Sequence, residues 1–168
     1  MVTQASIPGF IVDGMLGTTA RKLRILGFDT IYDTKSGDAS LLKLAIESGR
    51  ILLTGDYQLY VSAKTWRAAA VLVAGNNEED KLFHVLDKSG VKRIDVEHLN
   101  SRCSICNGAL EDTGTKKYDA IEIYECQVCG KRYWRGSHWK KMKSFFERVN
   151  SMLESRVIME NNSRVSSS

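Results

Sequence analysis

Apolar and polar positions come in alternating blocks through the first hundred residues. "GFIVD" is a short apolar run that ends on an acid. "LGTTARKLRILG" carries Leu16, Ala20, Leu23 and Leu26 at helical spacing and stops on Gly27. "FDTIYD" predicts a second strand, and "DASLLKLAIESG" predicts a second helix stopped by Gly49. "RILLT" is apolar, short and bounded by turn residues, the pattern of a third strand. "YQLYVSAKTWRA" then predicts a helix, "AAVLVAG" a fourth strand, and "NEEDKLFHVLDKSG" a helix whose acidic first turn suits the helix dipole. This βαβαβαβα order predicts an α/β domain over residues 1–100, with a mainly parallel sheet flanked by helices.

Beyond residue 100 the pattern changes. "VKRIDVEHLNSR" reads as a connector into a cysteine module at 101–138, in which "KYDAIEIYEC" predicts a strand. Residues 139–156 predict an amphipathic helix with Met142, Phe145, Phe146, Val149, Met152 and Leu153 on one stripe, suited to packing on the rest of the protein. Residues 157–168, ending in "NNSRVSSS", predict a disordered tail.

Composition narrows the class. A chain of 168 residues that is 43% hydrophobic, with one proline, has room for one cored domain and a small module. No long apolar run and no signal-peptide start are present, so the expectation is a cytoplasmic protein with no membrane association. Residues 1–100 hold 12 Lys+Arg and 12 Asp+Glu, whereas residues 101–168 hold 12 and 8, so the whole net charge of +4 comes from the C-terminal part. That asymmetry points to a polyanionic partner.

The acids fall in a pattern. In open parallel sheets ligands sit outside the carboxyl ends of the strands. Asp13 follows the first predicted strand, Asp33 and Asp38 the second, Asp56 the third, and Glu78, Glu79 and Asp80 the fourth. Neighbouring strands lie about 4.8 Å apart, so their ends can converge. Converging carboxylates raise one another's pKa, a penalty that a hard divalent cation removes. Asp13 is therefore expected to ligate Mg²⁺ or Mn²⁺. Asp38 and Asp56 share that role or cap helices. The 78–80 cluster contributes a ligand or only complements a helix dipole, and Asp33 is expected to be a plain loop acid. A receiver-type signalling domain also groups acids around Mg²⁺, but has no use for a cysteine module. No Walker or GxGxxG phosphate loop occurs.

"CSIC" and "CQVC" give the spacing C-x2-C-x19-C-x2-C. Two such knuckles predict one tetrahedral Zn²⁺ on Cys103, Cys106, Cys126 and Cys129, in a zinc ribbon whose turns suit Asn107-Gly108 and Gly130. Rubredoxin-type iron shares the spacing. A four-thiolate site has no open position, so this metal is expected to be structural. After it, "GKRYWRGSHWKKMK" interleaves Lys131, Arg132, Arg135, Lys140, Lys141 and Lys143 with Tyr133, Trp134, Trp139 and His138, and holds no acid. Cations that neutralise phosphates beside rings that stack on bases suit single-stranded nucleic acid; the alternative is ribbon packing with solvated lysines.

Together "FIVDGMLGTTARKLRILGFDTIYD", "GRILLTGD", "RCSICNGAL" and "CGKRYWRGSHWKKM" resemble, in content and order, the Mut-seven C-terminal RNase domain family over about residues 9–142. The resemblance implies a PIN-like nuclease domain followed by a zinc ribbon. It implies RNA hydrolysis supported by one or two Mg²⁺ or Mn²⁺ ions on Asp13, Asp38 and Asp56, with Glu79 or Asp80 as a fourth acid. It also implies that Arg21, Lys22 and Arg24 meet the substrate backbone. Gly55 in "LLTGD" departs from the family's usual Arg, removing a phosphate contact. The sequence thus predicts a ribonuclease whose ribbon holds single-stranded RNA across the acids, with a non-catalytic RNA-binding protein as the alternative.

Overall fold

A computed structural model describes residues 7–97, 99–117 and 121–165. The four strands expected in the first hundred residues form β1 (Phe10–Val12), β2 (Thr30–Tyr32), β3 (Ile51–Thr54) and β4 (Ala70–Leu72), all parallel, in the order β2-β1-β3-β4. Helices α1 (Gly17–Ile25), α2 (Asp38–Ser48), α3 (Tyr57–Thr65) and α4 (Glu78–Lys88) connect or follow them. A 3-10 turn, Gly14–Leu16, leads from β1 into α1.

Both faces of the central strands are covered, which is why β1 reads as an unbroken apolar run. Phe10, Val12 and Leu53 point to one core, shared with Leu16, Ala20, Leu23 and Leu26 of the α1 region and with Leu82, Val85 and Leu86 of α4. Ile11 and Leu52 point to the other, against Leu41, Leu42 and Ala45 of α2 and Leu59 and Ala63 of α3. The period-two alternation of a strand thus divides the helices between the two faces. The chain runs outward from β1 to β2 through α1, then returns across β1 to β3 through α2. The direction of winding reverses between β1 and β3, so the crevice of the sheet opens outside their carboxyl ends.

The cysteine module is an antiparallel sheet of β5 (Leu110–Lys117), β6 (Ile121–Cys126) and β7 (Arg132–Trp134). β6 lies within the expected "KYDAIEIYEC" strand, whose residues 118–120 lie outside the described residues. β5 and β7 were not legible as strands.

Helix α5 (Ser137–Val165) corrects the predicted boundary, because it continues well past residue 156 into the segment expected to be disordered. No Gly or Pro interrupts 137–165. Ion pairs Arg93–Glu154, Arg156–Asp87 and Lys92–Glu160 lash its second half to α4 and the loop after it. Residues 166–168 of the expected tail lie outside the described residues. The apolar stripe does pack inward: Phe146, Val149 and Leu153 are buried in the α1–α4 core, and Met142 and Phe145 lie against it. Burying each such side chain is worth about 1.5–3 kcal/mol. No described helix is long and apolar enough to cross a membrane.

Candidate functional site

The acids at the crevice are organised by a residue that sequence reasoning passed over. Asp13 follows β1, and its backbone N–H donates to Leu53 O at 3.0 Å, continuing the ladder to β3. It stands at the cap position of the 3-10 turn, yet its side chain caps nothing. Instead Oδ2 accepts a 2.8 Å hydrogen bond from the hydroxyl of Thr54, the fully buried last residue of β3. The same hydroxyl accepts the Asp56 backbone N–H at 2.9 Å. Asp56 caps α3: its Oδ1 accepts from the backbone N–H of Gln58 at 2.6 Å and of Leu59 at 3.2 Å. The capping role weighed for Asp56 is thus realised. Oδ1 of Asp13 and Oδ2 of Asp56 keep no hydrogen bond among the described residues. The signal in the sequence was a hydroxyl between an apolar strand and an acid, "LLTGD".

Asp38 stands apart from this array. It is the exposed first residue of α2, with Gly37 rather than Asp38 at the cap position. Among the described residues the carboxylates of Asp13, Asp38 and Asp56 do not gather at ligand spacing; only the four cysteines do so. The acids after β4 turn elsewhere. Glu79 pairs with Arg148 of α5 at 2.7 Å, Asp80 accepts the Asn76 N–H at 3.2 Å, and Glu78 accepts from Thr19 and pairs with Lys22 at 3.4 Å. Asp33 holds its own loop, accepting from Lys35 N and Ser36 Oγ, and these bonds keep its carboxyl below the usual range.

Two of the three cations expected on the substrate backbone are turned inward. Arg24 is 4% exposed. Its Nε donates to Thr30 O at 2.9 Å, and its second nitrogen donates to Ser104 O and Ile105 O at 3.2 and 2.8 Å. Burial pulls its pKa down, while the neighbouring Cys103 and Cys106 sulfurs favour its charge. Arg24 is therefore a bolt between α1, β2 and the first cysteine knuckle, and it leaves the nucleic-acid set. Lys22 lies 4.2 Å over the Phe145 ring and pairs with Glu78, so it is also spent internally. Arg21 is exposed.

The cysteine knuckles repeat one geometry. Asn107 N donates to Cys103 O and Gly130 N to Cys126 O, both at 2.9 Å, and both residues sit at φ +69°. A left-handed residue after the second cysteine turns the chain so that both sulfurs face one point. Cys103 and Cys129 sulfurs lie 3.6 Å apart and those of Cys106 and Cys126 3.4 Å apart, with all four within 4.8 Å. Tetrahedral ligands at a Zn–S length of about 2.3 Å stand roughly 3.8 Å apart, whereas a disulfide needs about 2 Å. The donor set thus fits a structural Zn²⁺. Gly108 is required beside it, because a Cβ there would lie 2.8 Å from the Cys126 sulfur. Burial opposes the Cys103 thiolate, but bonds from the Tyr133 hydroxyl and from backbone N–H groups bring its pKa to about 6. The Gly108 N–H favours a Cys106 thiolate, but burial and the crowd of sulfurs outweigh it and push Cys106 up to about 12. Four sulfurs this close need a cation to ionise together.

The knuckle docks on the amino end of the sheet. Asn107 Oδ1 accepts the N–H of Thr30, the first residue of β2, and its amide donates to Asp29, which also pairs with Arg50. The ribbon therefore sits at the end of the strands opposite Asp13 and Asp56, not across them as expected. Of the basic and aromatic residues after it, Arg132 pairs with Glu125 and Tyr133 gives its hydroxyl to Cys103 at 3.0 Å. Lys131, Trp134, Arg135, His138, Lys140 and Lys141 are exposed. Lys131, Trp134, Arg135 and His138 also face a cleft between ribbon and α5.

Against known proteins, a family model described as the Mut7-C RNAse domain matches residues 8–146, from the start of β1 through the ribbon to the first turns of α5. No curated protein and no solved structure matches the chain.

Proposed function

The chain belongs to the Mut7-C RNAse domain family, and from that premise we propose that it is a metal-dependent ribonuclease working at the crevice between β1 and β3. The observation that carries this reading is the Asp13–Thr54–Asp56 array, two carboxylates joined through one buried hydroxyl at the reversal point of the sheet. Their unbonded oxygens are hard donors suited to Mg²⁺ or Mn²⁺, whereas Asp38, at the exposed start of α2, stands outside their ligand spacing. When bound, such an ion lowers the pKa of a water and stabilises charge on phosphate oxygens.

The chain's own groups do the positioning. Thr54 donates to Asp13 and so fixes which carboxylate oxygen is left outward. The α3 cap holds Asp56 in one rotamer, so capping and catalysis use different oxygens of the same group. Arg21 is the exposed cation of α1 available to a phosphate. A reducing, cytoplasmic compartment suits four free cysteines that hold zinc.

The test is cleavage of labelled single-stranded RNA with Mn²⁺. Asp13→Asn and Asp56→Asn keep the hydrogen-bond acceptors, and Asn caps a helix as well as Asp. Both variants should melt like the parent and lose cleavage. RNA bound but left intact by the parent protein would sink the hydrolytic reading and leave an RNA-binding module, the function favoured by the scattered position of Asp38.

A further inference from the structure

The cleft between the ribbon and the start of α5 has a volume of about 350 Å³, within the range of small-ligand sites. Four aromatic side chains line it: Tyr124, Tyr133, Trp134 and Trp139. Arg102, Lys131, Arg135 and His138 line it beside the neutral polar Asn100, Ser101 and Ser104, and no carboxylate is among the lining residues. The lining side chains themselves thus carry a net positive charge, with the Glu122 carboxylate behind Tyr124 and the cysteine sulfurs behind Tyr133.

We propose that this cleft is a nucleotide slot, which takes one unpaired residue of an RNA strand, base against the aromatic wall and phosphate on the cations. The inference rests on the reading of the chain as one that acts on RNA. The walls are set before a ligand arrives. Tyr133 is pinned by its bonds to Cys103 and Ser104. Trp134 lies so close over Gly136 that a Cβ there would come within 3.1 Å of its indole nitrogen, and Lys117 Nζ stands 3.7 Å from its ring centroid. The Arg135 guanidinium stands 5.1 Å over Trp139. Rings held in place cost little ordering when a base stacks on them. Trp134 is 47% exposed, so part of its side chain is open to a ligand. A duplex hides the faces of its bases, so the slot selects single strands.

The slot lies away from the acids. Ile25 ends α1 at the amino side of the sheet and lines the cleft, as does Arg102, whose N–H donates to Arg24 O. The slot therefore grips the strand without touching the bond to be cut.

Binding is followed by tryptophan fluorescence of the zinc-loaded protein without Mg²⁺ or Mn²⁺, in a Trp66→Phe background that leaves Trp134 and Trp139 as reporters. The probes are a short single-stranded RNA, AMP and a blunt RNA duplex. A saturable quench is expected with the single strand, a weaker one with AMP and none with the duplex. Trp134→Ala should weaken single-strand binding roughly fivefold or more, and Trp134→Phe should restore most of it. Lys131→Ala with Arg135→Ala should lower the slope of log affinity against log salt by about 0.7, the value for the one phosphate the slot holds. Zinc content guards against misfolding; if Trp134→Ala loses zinc, the exposed Lys131/Arg135 pair decides. Equal binding of the duplex, or single-strand binding unmoved by either set of variants, overturns the slot. Asp13→Asn should bind as the parent does, so a protein that fills the slot and cuts nothing overturns only the hydrolytic reading.

Discussion

Replacing Arg24 by Met separates two accounts of one residue. As a phosphate contact, Arg24 would matter to RNA and hardly to stability. The structure instead buries it with three donated hydrogen bonds, to Thr30 O, Ser104 O and Ile105 O. Hydrogen bonds from a charged donor are worth about 1.5–3 kcal/mol each, so the gross loss is roughly 5–9 kcal/mol. Met has nearly the same reach and needs no charge desolvated, which returns several kcal/mol. A second contribution works against the variant: zinc on four thiolates carries a net charge of −2 beside the site, and Arg24 is the buried cation nearest to it. We expect a net cost of about 3 kcal/mol, or a fall in Tm of roughly 6–12 °C for a chain of this size. The assay is thermal and urea unfolding with zinc release followed in parallel, and ribbon and sheet should loosen together. An Arg24→Met protein that melts with the parent while binding RNA more weakly would refute the bolt and restore the phosphate contact.

Thr54→Val keeps the shape of the side chain and removes both its bonds; it should cost about 2 kcal/mol in urea unfolding and lower cleavage, whereas Thr54→Ser should keep most of both. A Val variant as stable as the parent would show that the Asp13 bond contributes nothing. Burial would raise the Asp29 carboxyl, but bonds from Arg50 and Asn107 and the charges of Arg50 and Arg102 outweigh it and hold the pKa below the ordinary value. A carboxyl depressed in the fold stabilises above its unfolded pKa of about 3.9 and loses that contribution as pH falls through the folded value. The stability gap between the parent and Asp29→Asn should thus be full at neutral pH and close below about pH 4, a pattern that acid titration of the melting point checks. Gly55 has open space where a Cβ would lie, and its φ is not left-handed. Gly55→Arg should therefore fold within about 0.5 kcal/mol of the parent and bind RNA more tightly, by filter binding at several salt concentrations.

The elements that the sequence displayed best are those whose formation is local or two-sided. β1 and β3 are covered on both faces and read as plain apolar runs, and the α1 stripe Leu16–Ala20–Leu23–Leu26 is the stripe that enters the core. The cysteine spacing was legible because two knuckles close on one ion whatever lies between them. What stayed hidden depends on docking. "LEDTGTKK" shows no apolar alternation, since β5 belongs to a module organised by its four clustered cysteines and its backbone pairing more than by a core. Arg24 and Lys22 look like solvated cations until the carbonyls of Ser104 and Ile105 and the ring of Phe145 close over them. The end of α5 was set too early because its anchors, Asp87, Lys92 and Arg93, lie about sixty to seventy residues away in the chain. For the acids, strand-end position was readable, but the direction of each side chain was not. Asp13 and Asp56 share a hydroxyl, while Glu79 leans on Arg148.

The opposed positions of ribbon and acids carry a consequence for any RNA-cutting role. The ribbon is fixed by Arg24, by Asn107 on Thr30 and Asp29, and by Arg102 N–H on Arg24 O, so it is part of the same body and not a flap that swings toward Asp13. A three-residue strand rises about 10 Å, which is the least separation between the two ends of the sheet. On the helical face between them Lys22 is matched with Glu78, Lys143 with Glu97 and Arg148 with Glu79, while Arg21 of α1 stays exposed. A polyanion crossing that face gains little, because paired surface charges offer a weak net field. Grip must then come from the unmatched cations and open rings at the ribbon end, and bond cleavage from the acids at the other. The two ends should separate in kinetics, with substitutions at Trp134 or Arg135 raising KM and leaving kcat, and substitutions at Asp13 lowering kcat and leaving binding. If Trp134→Ala lowered kcat with KM unchanged, grip and chemistry would have to share one site, and the separation across the sheet would not describe how the protein works.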